Sequence, residues 1–383
     1  MTNFSLQLPN DIIDIFGEKL NCIEDFISFG CVCKSWHQSF TRIKKKHVPF
    51  SPWLMLAYDE NLPNIQTFFS FSSKKILNLP LPKPLIQDRR CLGSPFGWLV
   101  TIGLDLQIHL LNPLSQIQIP LPSQTTFSHQ YKCSMEPEDL RRMFVFKFVL
   151  SSTPSEETSC VVMAIYSRFC KLAFAKPGDE TWTSIESSRQ DYTDAIFFQG
   201  QFYAVNSEAV LEICDINTPS PKAIKFASPP DGVSVDCGNR YYLVEMSGDL
   251  LLVERHIVGN GNDSAHEFHY YTFASQVYKL NFEKKSWTEL SDLGDNALFI
   301  GTNTSYAIAI STSNYPEFRC NCIYFTDDHL ELYCDNSLCD MGLFDLTDET
   351  EDEEEDVETV EPIYTGDNMI STFSRPLFIM PSF

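Results

Sequence analysis

The sequence predicts a mainly β protein with a small all-α domain at its N-terminus, and three observations carry that expectation. Between residues 8 and 45 apolar side chains recur at steps of three and four, the period of a helix. From Trp53 onward the pattern changes to short apolar and aromatic runs separated by turn residues, the pattern of strands. A further signal closes each group of runs: ILNLPLP, IQIPLP, ETWTSIE, KAIKF and KSWTEL, anchored on Leu79, Ile119, Trp182, Ile224 and Trp287 at steps of 40, 63, 42 and 63 residues. Repeats of about 40 to 50 residues with insertions are what four-stranded sheets set around an axis require.

The first helix is read from "LPNDIIDIFGEKL". Pro9 suits the first helical position, where its missing N–H costs nothing, and Asp11 complements the helix dipole in the first turn. Ile12, Ile15, Phe16, Lys19 and Leu20 share one side. Asn21 with Glu24 has the form of a capping box for a second helix through IEDFISF, which Gly30 can end. A third helix is expected from about Val32, with Val32, Trp36, Phe40 and Ile43 on one stripe. Three short helices bury little, so the unit should draw stability from a partner or from the domain behind it.

The clearest strands are GWLVTI, MFVFKFVL, AIFFQGQFYAV, RYYLVEMSGDLLLVER, ALFIG and CIYFTDD, with turns at Gln199-Gly200, Ser247-Gly248 and Gly294-Asp295. With a sixth group from Ala297 to Phe344, they predict a single β-propeller of six blades, kelch-like, five or seven remaining open. The ring is expected to close by pairing an early strand, Trp53 to Tyr58, with a late one, Pro376 to Met380, because closure removes exposed sheet edges.

The chain has a formal charge of −23, of which eleven carboxylates lie in one run from Asp345 to Glu361. That run, at about 347–361, reads as a solvated loop, or as a docking site for a basic partner. The acidic remainder argues against nucleic acid as a partner, since phosphate contacts need clustered bases. The small run Arg42, Lys44, Lys45 and Lys46 reads as a helix end, with nuclear import as its second reading. No secretory signal and no apolar stretch of membrane-spanning length is evident, so no membrane is expected and the protein is placed in the cytoplasm and/or nucleus. The thirteen cysteines are expected to be reduced.

Two cysteine groups invite a metal reading. Cys31 and Cys33, on a helix, would point about 200° apart and could not hold one ion side by side, so they read as small buried thiols. Cys320 and Cys322 would share a strand face near His329, Cys334 and Cys339, but the spacing lacks the close pairs usual for zinc; buried strand thiols are expected, with no metal and no cofactor. No nucleophile elbow, phosphate loop or zinc-protease pair is present, so no catalytic residue is assigned.

The residues 8–40, LPNDIIDIFGEKLNCIEDFISFGCVCKSWHQSF, resemble an F-box: a leading Leu-Pro, an apolar helix, an acidic residue opening the second helix, and a closing Val-Cys-Lys-x-Trp. Gly17 departs from it by costing about 1 kcal/mol of helix propensity relative to alanine, and Cys31 stands where a basic residue is common. The pieces LAFAKPGDETWTSIE, YTDAIFFQGQFYAV, YYLVEMSGDLLLVER, WTELSDLGDNALFIGTNTSYAIA, CIYFTDD and DMGLFDL resemble the plant KIB-type propeller domain, DUF 295.

The resemblance implies an F-box at 4–48 and a KIB-type propeller at 51–383. It implies a substrate-recognition subunit of an SCF-type cullin ubiquitin ligase, not itself an enzyme. The F-box would bind the Skp adaptor, and through it the cullin, while the propeller binds the target protein. Leu8, Pro9, Ile12, Ile15, Phe16, Leu20, Val32, Lys34 and Trp36 match the family positions that form or support the adaptor-binding surface. A second reading makes the propeller an enzyme or a small-ligand binder tethered through its F-box, because propeller sites are assembled from residues far apart in the chain. Which residues hold the target is not legible, since selective loops are not marked as such in one sequence.

Overall fold

A computed structural model describes residues 8–20, 22–44, 50–57, 65–80, 82, 89–94, 96–128, 135–154, 159–233, 239–261, 268–310, 315–328, 340–347, 360–366 and 375–382. Three helices, α1 (Asn10–Glu18), α2 (Ile23–Gly30) and α3 (Lys34–Lys44), precede six sheets. A fourth helix, α4 (Pro137–Met143), lies between the second and third sheets.

From the axis outward, the first blade is Leu377–Ile379, Trp53–Met55, Ile65–Ser70 and Lys75–Pro80. Its inner pair is the expected closure: Trp53 pairs with Ile379, Leu54 with Phe378 and Met55 with Leu377. The chain's two ends thus meet in one sheet, and the ring has no open seam. The second blade is Arg90–Gly93, Leu99–Ile102, Ile108–Leu111 and Gln118–Leu121; the third is Val145–Leu150, Val162–Tyr166, Lys171–Ala175 and Thr183–Ser184. Tyr192–Phe198, Gln201–Asn206, Leu211–Asp215 and Lys222–Ala227 form the fourth; Arg240–Met246, Asp249–Gly261, Phe268–Asn281 and Ser286–Leu290 form the fifth.

The sixth blade departs from this plan. Its order is Tyr306–Ala309, Asn296–Ile300, Cys322–Phe325, Gly342–Asp345 and Val360–Glu361, and its second and third strands run parallel. Val360 and Glu361 pair with Phe344 and Leu343, so the far end of the acidic run, expected from the sequence to lie in a loop, belongs to the blade. Residues 348–359 of that run lie outside the described residues. With nine carboxylates in its twelve residues, 348–359 has the composition of a solvated segment, and replacing it by a Gly/Ser linker of equal length should leave stability within about 0.5 kcal/mol in a melting experiment.

The repeat seen in the sequence has a structural cause. Leu79, Ile119, Ile224 and Trp287 sit on the outermost strands, and Trp182 directly precedes one. The indole N–H of Trp182 donates to the Pro122 carbonyl, and that of Trp287 to the Ser228 carbonyl, each at 2.9 Å. Both acceptors lie just past the outermost strand of the preceding blade, so each tryptophan latches its own blade to the one before it.

Inner strands begin at a common end, here termed the upper end. Arg90 and Val145, Thr193 and Tyr241, and Asp194 and Leu243 are joined by hydrogen bonds at matching levels of neighbouring inner strands. The axis is filled by the chain itself. Gly301–Ser305, leading from the second strand of the sixth blade to its inner strand, is bonded to Gly93, Lys147 and Phe148, and Ser305 to Asp194. Thr302, Asn303, Thr304 and Ser305 are all buried.

Buried phenols and thiols set the alkaline limit of the fold. Burial pushes Tyr324 and Tyr315 up to about 12, and pushes the Cys322 thiol up to about 12. Unfolded, these groups ionise near about 10 and 8.5, so the folded state holds protons that the unfolded chain releases. Their contribution is complete below about pH 8.5 and is lost as pH rises toward 12. A melting temperature that falls steadily from pH 9 to 11 is expected; a flat profile would refute this.

Candidate functional site

The helical unit presents its apolar side outward. Ile13 and Gly17 of α1 are buried against the rest of the unit, while Leu8, Ile12, Ile15 and Phe16, at helical steps on another face, are exposed. Phe16 is 54% exposed, and Val32, in the connection between α2 and α3, is 49% exposed. With Leu8, Ile12 and Ile15 they are five of the thirteen large apolar side chains left exposed among the described residues, so the short helical unit carries a disproportionate share.

The sequence-predicted site residues divide accordingly. Leu8, Pro9, Ile12, Ile15, Phe16, Val32 and Lys34 are exposed or nearly so at the surface of the unit, whereas Leu20 and Trp36 pack partly buried against the core. Trp36 lies 4.8 Å from Phe29, ring to ring, which makes it a support of the surface. Gly17 is explained by packing: a Cβ there would collide with Ile43 and come within 3.0 Å of Phe29. Glycine thus lets α1 approach its neighbours closely without displacing the Ile43 side chain or the Phe29 ring, which offsets its propensity cost. Asp14 takes hydrogen bonds from Arg42, at 2.8 Å, and from the hydroxyl of buried Ser39, tying α1 to α3.

Local details differ from the sequence expectation. Pro9 is the N-cap of α1, one residue earlier than its expected helical position. The N-cap of α2 is Cys22, not Asn21, so Glu24 serves no capping box; it accepts instead from the Cys22 thiol at 2.7 Å. Asn21 itself lies outside the described residues. The third helix begins at Lys34, its first bond running from the His37 N–H to the Cys33 carbonyl, and Val32 precedes it.

Cys31 and Cys33 consequently stand in the connection between helices and not on one, and neither is buried: Cys31 is exposed and Cys33 half-buried. The Cys33 thiol is held below its ordinary range by its hydrogen bond to Ser35 and by the Trp36 backbone N–H. Cys320 is exposed ahead of the strand that begins at Cys322, with Asn321 at positive φ between them, so they do not share a strand face; only Cys322 is the buried strand thiol expected. His329, Cys334 and Cys339 lie outside the described residues. Among the described residues no group of three or more potential ligands is placed to hold a metal ion.

The unit is joined to the lower end of the ring. Phe26 packs against Phe40 and Phe50, and Phe50 continues into the core of Trp53, Met55 and Phe68 in the first blade. Ser73, in the lower turn of that blade, donates to Glu24 at 3.1 Å.

The upper end is different in kind. The two middle strands of the fifth blade run past its inner strand: Arg240 pairs with Arg255, and residues 256–261 continue beyond as a two-stranded ribbon with 268–274. Buried charges pin this ribbon down. Arg255 donates to Asp340 at 2.6 Å and to Asp328 at 3.2 Å; Thr272 bonds to Asp340, and Tyr270 to Asp327. Burial opposes the Arg255 charge, but Tyr242, Asp340 and Asp328 hold it protonated. Burial raises Asp328 too, yet Arg255 and Arg240 bring its carboxyl below the usual range. Nearer the axis, Lys147 and Asp194 form a buried pair at 2.6 Å, and burial keeps Asp194 above the ordinary carboxylate range. No signal in the sequence marked these residues, because each pair is separated by dozens of positions.

No helix among the described residues is long and apolar enough to cross a membrane. A family model, the KIB1-4 beta-propeller, matches residues 68–345. Proteins of Arabidopsis thaliana to which the chain is similar include the following three. At5g55150 is 27% identical over 329 residues, covering 85% of this chain and 86% of the relative. The F-box protein SKIP23 is 24% identical, covering 79% of each. The F-box protein KIB3 is 25% identical, covering 86% of this chain and 72% of the relative.

Proposed function

The chain belongs to the KIB1-4 beta-propeller family, and from that premise we propose that it is the substrate-recognition subunit of an SCF-type cullin ubiquitin ligase. The exposed apolar face of α1, with Val32, binds the Skp-type adaptor; the propeller holds the target protein. The single observation that carries this reading is that face: a helix buries Ile13 and Gly17 and turns Ile12, Ile15 and Phe16 outward, an arrangement costly in water and useful against a partner. F-box relatives support it.

On this reading the chain does no bond chemistry. It contributes proximity, raising the effective concentration of a target lysine near the ligase's transfer site. The helices sit at the lower end of the ring, so the upper end remains open to a target. A cytoplasmic or nuclear location accords with such a role.

The test is adaptor capture. Replacing Leu8 and Pro9 together by alanine, or Phe16 by aspartate, should reduce adaptor pull-down at least tenfold. Because these side chains are exposed, the melting temperature should move by no more than that of an ordinary surface variant, about 0.5 kcal/mol. Unchanged adaptor capture by both variants would remove the assignment. Target binding is tested separately: proteins that co-purify with the full chain should accumulate in cells when α1 to α3 are deprived of their adaptor contact by the same substitutions.

A further inference from the structure

We propose that the cleft between the third and fourth blades binds an anionic side chain, carboxylate or phosphate, presented by the protein that the propeller holds. This rests on the reading that the propeller captures a protein. The cleft has a volume of about 590 Å³, enough for a few side chains. Its lining includes the chain from Ser184 to Gln190 that leads from one blade to the next. It lies in the part of the six-bladed ring opposite the first blade, and hence away from the helical unit.

Its chemistry is set by two lysines. Lys171 and Lys222 line it, and among the described residues neither has a carboxylate within 4 Å. Other described lysines, such as Lys75, Lys176 and Lys225, also lack an ion pair; what sets Lys171 and Lys222 apart is that both line one cleft, in a chain with 51 acidic residues against 28 lysines and arginines. Two of the nearby carboxylates are already engaged. Glu212, buried behind the cleft, accepts from the Tyr192 and Ser187 hydroxyls, and Glu208 pairs with Arg189. Leu172, Ile185 and Ala223 supply a buried apolar floor, and the exposed Ser188 a hydroxyl at the rim. A floor that takes methylene groups below ammonium groups that take the charge fits an acidic or phosphorylated side chain.

One lining group opposes this. Glu186, whose backbone bridges to Lys222, is exposed and has no cation within 4 Å among the described residues, so its carboxylate should weaken anion binding. Removing it should therefore help.

The test uses the full chain and a fluorescent hexaglutamate peptide at physiological salt. Binding is expected, weakened at least tenfold by Lys171→Gln with Lys222→Gln, abolished by Ser188→Asp, and tightened by Glu186→Gln. Lys284→Gln with Lys285→Gln, which changes net charge equally in a turn of the fifth blade, should have no effect. Displacement by inorganic phosphate at lower concentration than by acetate assigns the site to phosphorylated side chains; the reverse order assigns it to carboxylates. No binding at millimolar peptide, or equal weakening by both lysine pairs, would overturn the proposal. Adaptor capture is measured on the same samples: its loss would count against the ligase reading and leave the cleft standing, and retained capture with no peptide binding would do the opposite.

Discussion

Replacing Phe26 by alanine is expected to destabilise the protein by about 3–5 kcal/mol and to abolish adaptor capture, although Phe26 is fully buried and is not part of the exposed apolar face. Its ring contacts Phe40 within the helical unit and Phe50 on the path to the first blade. Truncation leaves a cavity at the centre of a core that the helices share with Trp53 and Phe68. A unit of three short helices has too little buried surface of its own to survive that loss. The helical signal and tryptophan fluorescence should be followed together through denaturant unfolding. One common transition, shifted to lower denaturant by the variant, is expected. Helices that melt alone in the wild-type protein, with the propeller intact, would show that the shared core does not couple the two parts. The consequence for function is geometric: a helical unit embedded in the first blade holds the adaptor at a fixed distance from whatever the propeller binds.

Ending the chain at residue 374 should have a larger effect still. Leu377, Phe378 and Ile379 are fully buried and form the innermost strand of the first blade. Burial of three such side chains is worth about 1.5–3 kcal/mol each, and the ladder bonds to Trp53–Met55 add to this. The sum is comparable with the whole stability of an ordinary domain, about 5–15 kcal/mol. The truncated chain should be insoluble or unfolded, since it also exposes the Trp53–Met55 edge at the axis. A synthetic peptide of residues 375–383 should restore folded protein when added during refolding. A truncated chain that melts at the wild-type temperature would mean that the ring is closed by something other than this strand.

Much of this architecture was legible because it is written in periodic features. The closing pair was foreseen from apolar runs at both ends of the chain, and Leu79, Ile119, Trp182, Ile224 and Trp287 mark the outer edges of successive blades. They recur because every blade meets the same physical requirement. An outer strand must be held to its neighbour, and at Trp182 and Trp287 an indole N–H does so. Other features were illegible for an equally physical reason. Asn21 and Glu24 have the spacing of a capping box, but the helix starts later, at Ile23. Cys31 and Cys33 fall in a connection because the third helix starts at Lys34. Local pattern constrains a helix boundary only to within a few residues.

Apolar periodicity and turn residues, acting over short distances, were enough to fix the order of helices then blades and to identify the strands that close the ring; they favoured six blades, and the six sheets of the folded ring fixed that number. Which side of α1 faces water was settled by packing: Ile12, Ile15 and Phe16 form a good apolar stripe, yet Ile13 and Gly17 are the buried positions, with glycine at 17 letting α1 pack closely on Phe29 and Ile43. The tertiary structure likewise decided that Gly301–Ser305 fills the axis, that Arg255 is matched by Asp328 and Asp340, and that Lys171 and Lys222 line one cleft. Charge pairing, close packing and cleft formation depend on distances between residues remote in the chain, and those distances exist only once the ring has closed.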